Sequence, residues 1–531
     1  MGAAAVLRTL YPLLKLVSVV YFFFLDLGFN IALLFWKRRV VSRPTNDLLL
    51  IAATDAAAMI RNGEVQSVHF VQAYIDRMNE VDGVINAVVE DNFDNAIVKA
   101  REVDAYISGL DKTSDEFKNL ATTKPFLGVP FTTKDSVQVT GLRATAGLAA
   151  AVDNKAKEDA EVIKNMHDAG AILLAVTNVP EALCWVETFN TMDGRTKNPY
   201  DDRRSVGGSS GGEGAVLGAA ASVIGVGTDI AGSIRIPAMW NGVFGLKCSP
   251  NLVSSKGLFP PFESVYLKQM LSIGPMCRYA KDLAPLLRVL CGKEVADKLK
   301  LGEKVELDKC KFFYMEGLNT PLTEPLHPDV IDTLRKAVKY FETKYNNPVY
   351  KIDLPKAHHA GIIFQVSFDE REAVDVCSML TLGTGRVNPP FEIVKCALGT
   401  SKHTLPLLVH AWLSLLPEHS KETKKYVEEV REKLRNEIIQ LLGDNGILLF
   451  PSWPTAAPPH YKSVAAYLNL IYTSMWNALR LPVMAVPMGL DSNGLPLAVQ
   501  LVGAPNTENL LIAAANDLEE GFKGWVAPPG Y

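Results

Sequence analysis

Two adjacent serines, Ser209 and Ser210, stand in the glycine-rich run GGSSGGEGA at residues 207–215. A third, Ser233, follows Ser209 by 24 positions, in GTDIAGSIRIP. Lys134 closes a strand-like run in FLGVPFTTKDS, residues 126–136. A serine hydroxyl attacks a carbonyl only when a base takes its proton. A buried lysine can be that base, because desolvation penalises the ammonium and leaves a neutral amine. The turn before Ser233 adds a second ingredient. Backbone N–H groups of Ile230, Ala231, Gly232 and Ser233 can converge on one point, as in an anion nest. Donors fixed before charge develops form an oxyanion hole, each worth roughly 2.7–4 kcal/mol of barrier. The chemistry these types support together is acyl transfer through a serine, without histidine.

Taken singly, each piece has an ordinary reading. Lys134 could be a solvated strand end paired with Asp135, and a Gly-Ser turn is structural more often than catalytic. Residues 207–211 also fit G-x-S-x-G, the nucleophile elbow, but that motif needs a buried strand before it. The residues that precede it, NPYDDRR, are polar and turn-like, so the elbow reading fails. None of the nine histidines lies in these motifs, which counts against a Ser-His-Asp site. There is also no S-x-x-K.

The elements that must position these residues alternate along the chain. SVHFVQAYIDRMNEVD has helical spacing and INAVVED is strand-like. DAEVIKNMHDAGAILLAVTNV reads as helix, glycine turn and buried strand. The same unit recurs in EVREKLRNEIIQLLGDNGILLFPSW and in MWNALRLPVMAVPMGL. The alternation predicts one large α/β domain, a mostly parallel mixed sheet covered by helices on both faces. With 48% apolar residues in 531, the chain can fill a sizeable core. Net charge is −4 and the body has no long basic run, so nucleic acid is a poor partner. Seven scattered cysteines with no CxxC pair argue against disulfides and zinc and suit a reducing compartment.

Together the motifs resemble the amidase signature family. The serine run, the Ser233 turn and GVPFTTKDS carry the resemblance, with TNVPEAL at 177–183 and LPVMAVPMGLDSNGLPLAVQLVG near the C-terminus. These pieces cover about residues 50–520. GPMCRYAKDLAPLLRVL, the ending GFKGWVAPPG and the apolar N-terminus make the chain similar to that family's fatty-acid amide hydrolases, those of the second type. The resemblance implies a nucleophile at Ser233, a bridging serine at Ser209 and a base at Lys134, with Ser209 relaying the proton. It also implies an oxyanion hole from the amides of residues 230–233. Ser210, Asp229 and Arg235 would support the triad, and Leu183 and Cys184 would line the substrate site. Neither metal nor organic cofactor is implied. The expected partners are a lipid amide substrate and membrane lipid, and the sequence leaves a homodimer open. Two positions depart from the pattern: Ala231 and Arg480 stand where these hydrolases often have glycine. The readings in competition are another amidase-signature hydrolase, an ammonia-supplying amidase subunit of a glutamine-dependent amidotransferase and a catalytically silent membrane scaffold.

The N-terminus differs from the rest. Leu16 to Trp36 is almost wholly apolar, flanked by Lys15 and by Lys37-Arg38-Arg39. As a helix it would rise roughly 31 Å, about the hydrocarbon thickness of a bilayer. Asp26 sits at its middle, where an acid costs roughly 2.5–3.5 kcal/mol. A buried or interfacial helix is the competing reading. The expected organisation is a membrane anchor over residues 1–40 (span about 16–36) and an amidase domain over 41–531. The anchor would be single-pass or monotopic, on endoplasmic reticulum or lipid droplets. Lys37, Arg38, Arg39 and Arg43 after the segment, against Arg8 and Lys15 before it, place the body in the cytosol. LPLLVHAWLSLLP, 405–417, is a second apolar stretch, too short to span. It reads either as a buried core helix or as a hydrophobic cap that meets lipid or lines an acyl channel.

Overall fold

The computed structural model describes residues 3–261, 264–318, 320–321, 323–367 and 375–530. Among them, eleven strands form one sheet. In chain order these are β1 (Val88–Asp91), β2 (Pro130–Lys134), β3 (Ile172–Thr177), β4 (Ile224–Asp229), β5 (Phe244–Lys247) and β6 (Ser272–Cys277). They continue as β7 (Lys311–Tyr314), β8 (Val349–Lys351), β9 (Gly446–Pro451), β10 (Val483–Leu490) and β11 (Pro496–Val502). The order across the sheet is β1-β3-β2-β4-β6-β5-β10-β11-β9-β7-β8.

The expected mixed α/β sheet is present, with a correction to its proportions. Six of the ten neighbouring pairs are antiparallel, and the parallel pairs are β2 with β3 and β4, and β7 with β8 and β9. Continuous apolar runs mark strands buried on both faces, which mixed sheets also contain. They carry no mark of strand direction. Both faces are covered, as alternation along single strands shows. Ile447 and Leu449 of β9 join the larger core cluster, whereas Leu448 and Phe450 join a second one. The first cluster packs helices Ser67–Ile85, Pro328–Tyr345 and Glu508–Phe522 on one face. The second packs Lys421–Leu442 and Ile471–Ala478 on the other.

Five helices matter below: α1 (Ala3–Leu34), α2 (Gly211–Gly218), α3 (Arg235–Trp240), α4 (Leu405–Leu413) and α5 (Ile471–Ala478). Residues Tyr11–Leu34 of α1 are long and apolar enough to cross a membrane, with mean hydropathy 2.0 and only 11% of the window buried. The helix nevertheless lies against the body along one stripe. Phe22 and Leu33 are buried, Ser18 Oγ donates to the Thr323 carbonyl at 3.4 Å, and Tyr21 Oη donates to the Ala465 carbonyl at 3.1 Å. Asp26 pairs with Lys462, which also holds Glu324 at 2.6 Å. Arg203 reaches the Leu33 carbonyl at 3.1 Å. The opposite face leaves Phe23, Phe24, Leu27 and Ile31 exposed.

α4 is half core and half surface. Leu407, Leu408 and Ala411 are buried, while Leu405, Val409, Trp412 and Leu413 are exposed, followed by exposed Leu415 and Leu416. The inner face answers to the core reading, and the outer face, apolar and exposed, is what the cap reading expects.

Candidate active site

The sheet brings the three chemical motifs to one place. Lys134 is the last residue of β2, and the next strand, β4, leads into the Ser233 turn at its end. α2 starts from Ser210 at its N-cap, directly after Ser209. Ser210 N–H donates to the Ser233 carbonyl at 3.1 Å and joins the two serine loops. The Gly208–Ser209 peptide is cis, a feature for which the sequence carried no signal. Gly212 lets α2 sit close to the sheet, since a Cβ there would come 2.6 Å from the Asn178 nitrogen.

Lys134 is fully buried, and the solvated pairing with Asp135 does not occur. Asp135 turns instead to the Thr145 amide, at 2.7 Å, and to its hydroxyl. Lys134 Nζ contacts three hydroxyls: Ser209 Oγ at 2.9 Å, Ser210 Oγ at 3.0 Å and Thr228 Oγ1 at 2.9 Å. Burial strips the ammonium of water and lowers its pKa to about 7, against the opposing pull of the Asp229 and Glu213 charges. A lysine poised there loses its proton near neutrality. Ser209 and Ser233 line one cavity with Ser136, Leu183, Thr228, Ile230, Leu258, Phe259 and Leu271.

The turn at 230–233 departs from expectation in one donor. Gly232 N–H donates to Asp229 Oδ1 at 2.7 Å, so it is not free to meet an oxyanion. Among the described residues, the amides of Ile230, Ala231 and Ser233 meet no protein acceptor. The strained backbone also falls on Gly232, with φ +129°, where a Cβ would come 2.3 Å from Thr473 Oγ1. Ala231 is outside the positive-φ region, so alanine suits it. Arg480 does adopt a left-handed conformation, φ 57°, which explains why glycine is at home at that position.

Asp229 and Arg235 form the frame beneath the turn, both wholly buried. The Asp229 carboxylate accepts from Gly232 N, from Ile234 N at 3.1 Å, from Arg235 Nε at 3.0 Å and from Asn477 Nδ2 at 2.9 Å. Burial alone would raise its pKa, but the charge and hydrogen bond of Arg235, the Lys247 charge and the Asn477 hydrogen bond hold it down at about 2. Arg235 in turn donates to Gln500 Oε1 at 2.9 Å and Asn477 Oδ1 at 2.6 Å. Thr473 donates to the Ala231 carbonyl at 2.7 Å. Sequence reasoning missed Thr473 and Asn477 on α5 and Gln500 on β11. Thr473 and Asn477 are four residues apart on one helical face, a signal that means something only once the turn is known to lie there.

Of the two residues expected at the substrate wall, Leu183 lines the cavity and has φ 61°. Cys184 does not line it. It packs beside an apolar cluster that contains Leu407 and Ala411 of α4, and burial raises its thiol pKa to about 11. No histidine is among the cavity's lining residues.

Comparison with known proteins bears on the family and the fold. The amidase family model matches residues 69–512. Human fatty-acid amide hydrolase 2 is 40% identical over 490 residues, covering 91% of each chain. Fatty-acid amide hydrolase 2-A of Danio rerio is 39% identical over the same length and share of each chain. Among solved structures, 6-aminohexanoate cyclic dimer hydrolase complexed with substrate superposes with a TM-score of 0.73 at 23% identity. That match covers 91% of this chain and 99% of the other, and it speaks for the fold. A lysine buried among hydroxyls beside a serine turn, on this sheet and with these relatives, places the chain in the amidase family.

Proposed function

We propose that the protein is a membrane-bound serine hydrolase that cleaves fatty-acid amides, both primary amides and N-acylethanolamines, to fatty acid and amine. The observation that carries the reaction is Lys134, buried on three hydroxyls with its pKa near 7. Neutral Lys134 takes the Ser209 proton while Ser209 takes that of Ser233, and Ser233 Oγ attacks the amide carbon. The tetrahedral oxyanion meets the free amides of Ile230, Ala231 and Ser233. The proton then passes back through Ser209 to the departing nitrogen, which leaves as amine or ammonia. Water, activated by the same relay, hydrolyses the acyl-serine. Ser210 and Thr228 hold Lys134 Nζ in place, while Asp229 and Arg235 hold the turn.

The lipid substrate follows from similarity to fatty-acid amide hydrolases and from the exposed apolar faces of α1 and α4, each of which suits contact with lipid. Residues 1–40 act as the anchor and 41–531 as the amidase domain. The same apolar faces count against an ammonia-supplying subunit, which works in water. The filled Lys134, Ser209 and Ser233 positions count against a silent scaffold. The deciding experiment incubates the purified enzyme with oleamide and with N-acylethanolamines in detergent micelles. Release of fatty acid, with covalent fluorophosphonate labelling at Ser233, supports the reading. Labelled enzyme that leaves both lipid amides intact and hydrolyses glutamine would replace it with the amidotransferase reading.

A further inference from the structure

Glu213, in the first turn of α2, is fully buried, and the reaction above gives it nothing to do. Its Oε1 accepts from Thr177 Oγ1 at 2.7 Å and its Oε2 from Thr132 Oγ1 at 2.9 Å. Those two threonines bracket Lys134. Thr132 precedes it by two residues on β2 and so points to the same face of the sheet. Thr177 is its directly paired neighbour on β3. On the opposite side Gly225 of β4, paired with Thr132, leaves the space free, since a Cβ there would come 1.9 Å from Glu213 Oε2. The carboxyl is thus inlaid across three strands at the root of the Lys134 side chain, whose Nζ rests on Thr228 of the same β4.

We infer that Glu213 is a positioning residue for the charge on Lys134: its inlaid carboxyl sets the pH at which the lysine gives up its proton, without touching substrate. The inference rests on Lys134 being the base. Burial works on the two groups in opposite senses, raising Glu213 to about 7 and lowering Lys134 to about 7. Near neutrality the pair can therefore exist as amine and acid or as ammonium and carboxylate, with the same number of protons. When Lys134 takes the proton of the relay, a carboxylate at its root lowers the cost of the new ammonium. The other groups that face Lys134 have different tasks. Ser209, Ser210 and Thr228 are neutral hydroxyls, and Asp135 bonds to Thr145 and faces Arg143. Asp229 also favours the ammonium but is held ionised by Arg235, so its pull stays constant while that of Glu213 changes with its own proton.

The test is the pH dependence of kcat/KM for oleamide in micelles, comparing wild type, Glu213→Gln and Lys134→Ala. Glutamine keeps the shape and removes the negative charge that favours the ammonium. The acid limb of Glu213→Gln is then expected to move to lower pH by about half a unit or more. A limb that stays in place while the rate falls uniformly, or one that moves to higher pH, overturns the inference and leaves Glu213 a packing residue. If Glu213→Gln does not fold, Thr177→Val removes one hydrogen bond that favours the carboxylate. Its limb should move the same way by a smaller amount, and an unmoved limb would again count against the idea. Lys134→Ala separates the two levels. Loss of the acid limb in that variant keeps lysine as base, whereas an unchanged limb sinks the catalytic reading itself.

Discussion

In the proposed reaction Ser233 depends on what surrounds it. Ser233→Ala should abolish amide hydrolysis and fluorophosphonate labelling together, since no other hydroxyl stands in the turn that offers free amides. Hydrolysis near the wild-type rate would remove Ser233 from the mechanism. Lys134 makes a prediction with a sign. In the proposed relay its neutral form is the active one, and its pKa is lowered to about 7. Activity should rise with pH through that value and level off above it, falling about tenfold per unit on the acid side. A flat profile between pH 5 and 8 would mean that Lys134 holds serines without moving protons. These residues were legible because each sits in a short local pattern that ties type to chemistry. Asn477, Gln500 and Thr473 were not, because a polar residue in an apolar run shows that it has a partner but not which one. Glu213 was in view inside the serine run. Its relation to Lys134 became visible only when β2 and β3 were paired.

Between residue and molecule, the elements act as rigid carriers, and the turn after β4 shows how much they hold. Asp229 lashes that turn to Arg235 at the start of α3, with α5 and β11 supplying the outer bonds. Asp229→Asn would leave Arg235 without its buried counter-charge, a change that costs roughly 3–5 kcal/mol when one partner of such a pair is removed. A clear drop in the thermal midpoint is expected, with loss of labelling at Ser233. An unchanged midpoint would show that Gln500 and Asn477 suffice for the guanidinium. The helices and strands themselves could be read from apolar period and glycine turns. Ile172–Thr177 falls within the stretch that its pattern indicates, whereas the helix read over 67–82 runs on to Ile85, the first residue of the stretch read as strand. Strand direction could not be read in this way. β10 follows α5 as a βαβ unit would suggest, yet it pairs antiparallel with both β5 and β11.

The whole molecule presents its apolar surfaces with α1 laid along the body, and this bears on how it meets a membrane. The contacts from Ser18 to Leu33 span roughly 22 Å of helix, most of the length a bilayer crossing would need. A helix tied alongside a polar body over that distance cannot cross hydrocarbon without drawing the body in or breaking free. Asp26 shows the same preference, because its charge is met by Lys462 on the body and not left in lipid. Charge flanking the helix is a weaker guide than it looked from sequence. Arg38 and Arg39 face Asp201 and Asp202 at 3.6 and 2.8 Å, so half of the positive cluster is spent within the fold. The expected arrangement is therefore one leaflet entered by the outer face of α1, with the body and both chain ends on one side of the membrane. The excess of positive residues after the helix makes the cytosol the side we propose. Sealed microsomes carrying one epitope before Ala3 and another after Gly530 distinguish the arrangements. Protease should remove both epitopes without detergent. Protection of the N-terminal epitope alone would show a spanning helix that leaves its seat on the body, and protection of the C-terminal one would put the body in the lumen. Detachment on deleting residues 1–40, with the rate on micellar oleamide retained, would complete the case for α1 as the anchor. An unfolded truncation would instead make α1 part of the core.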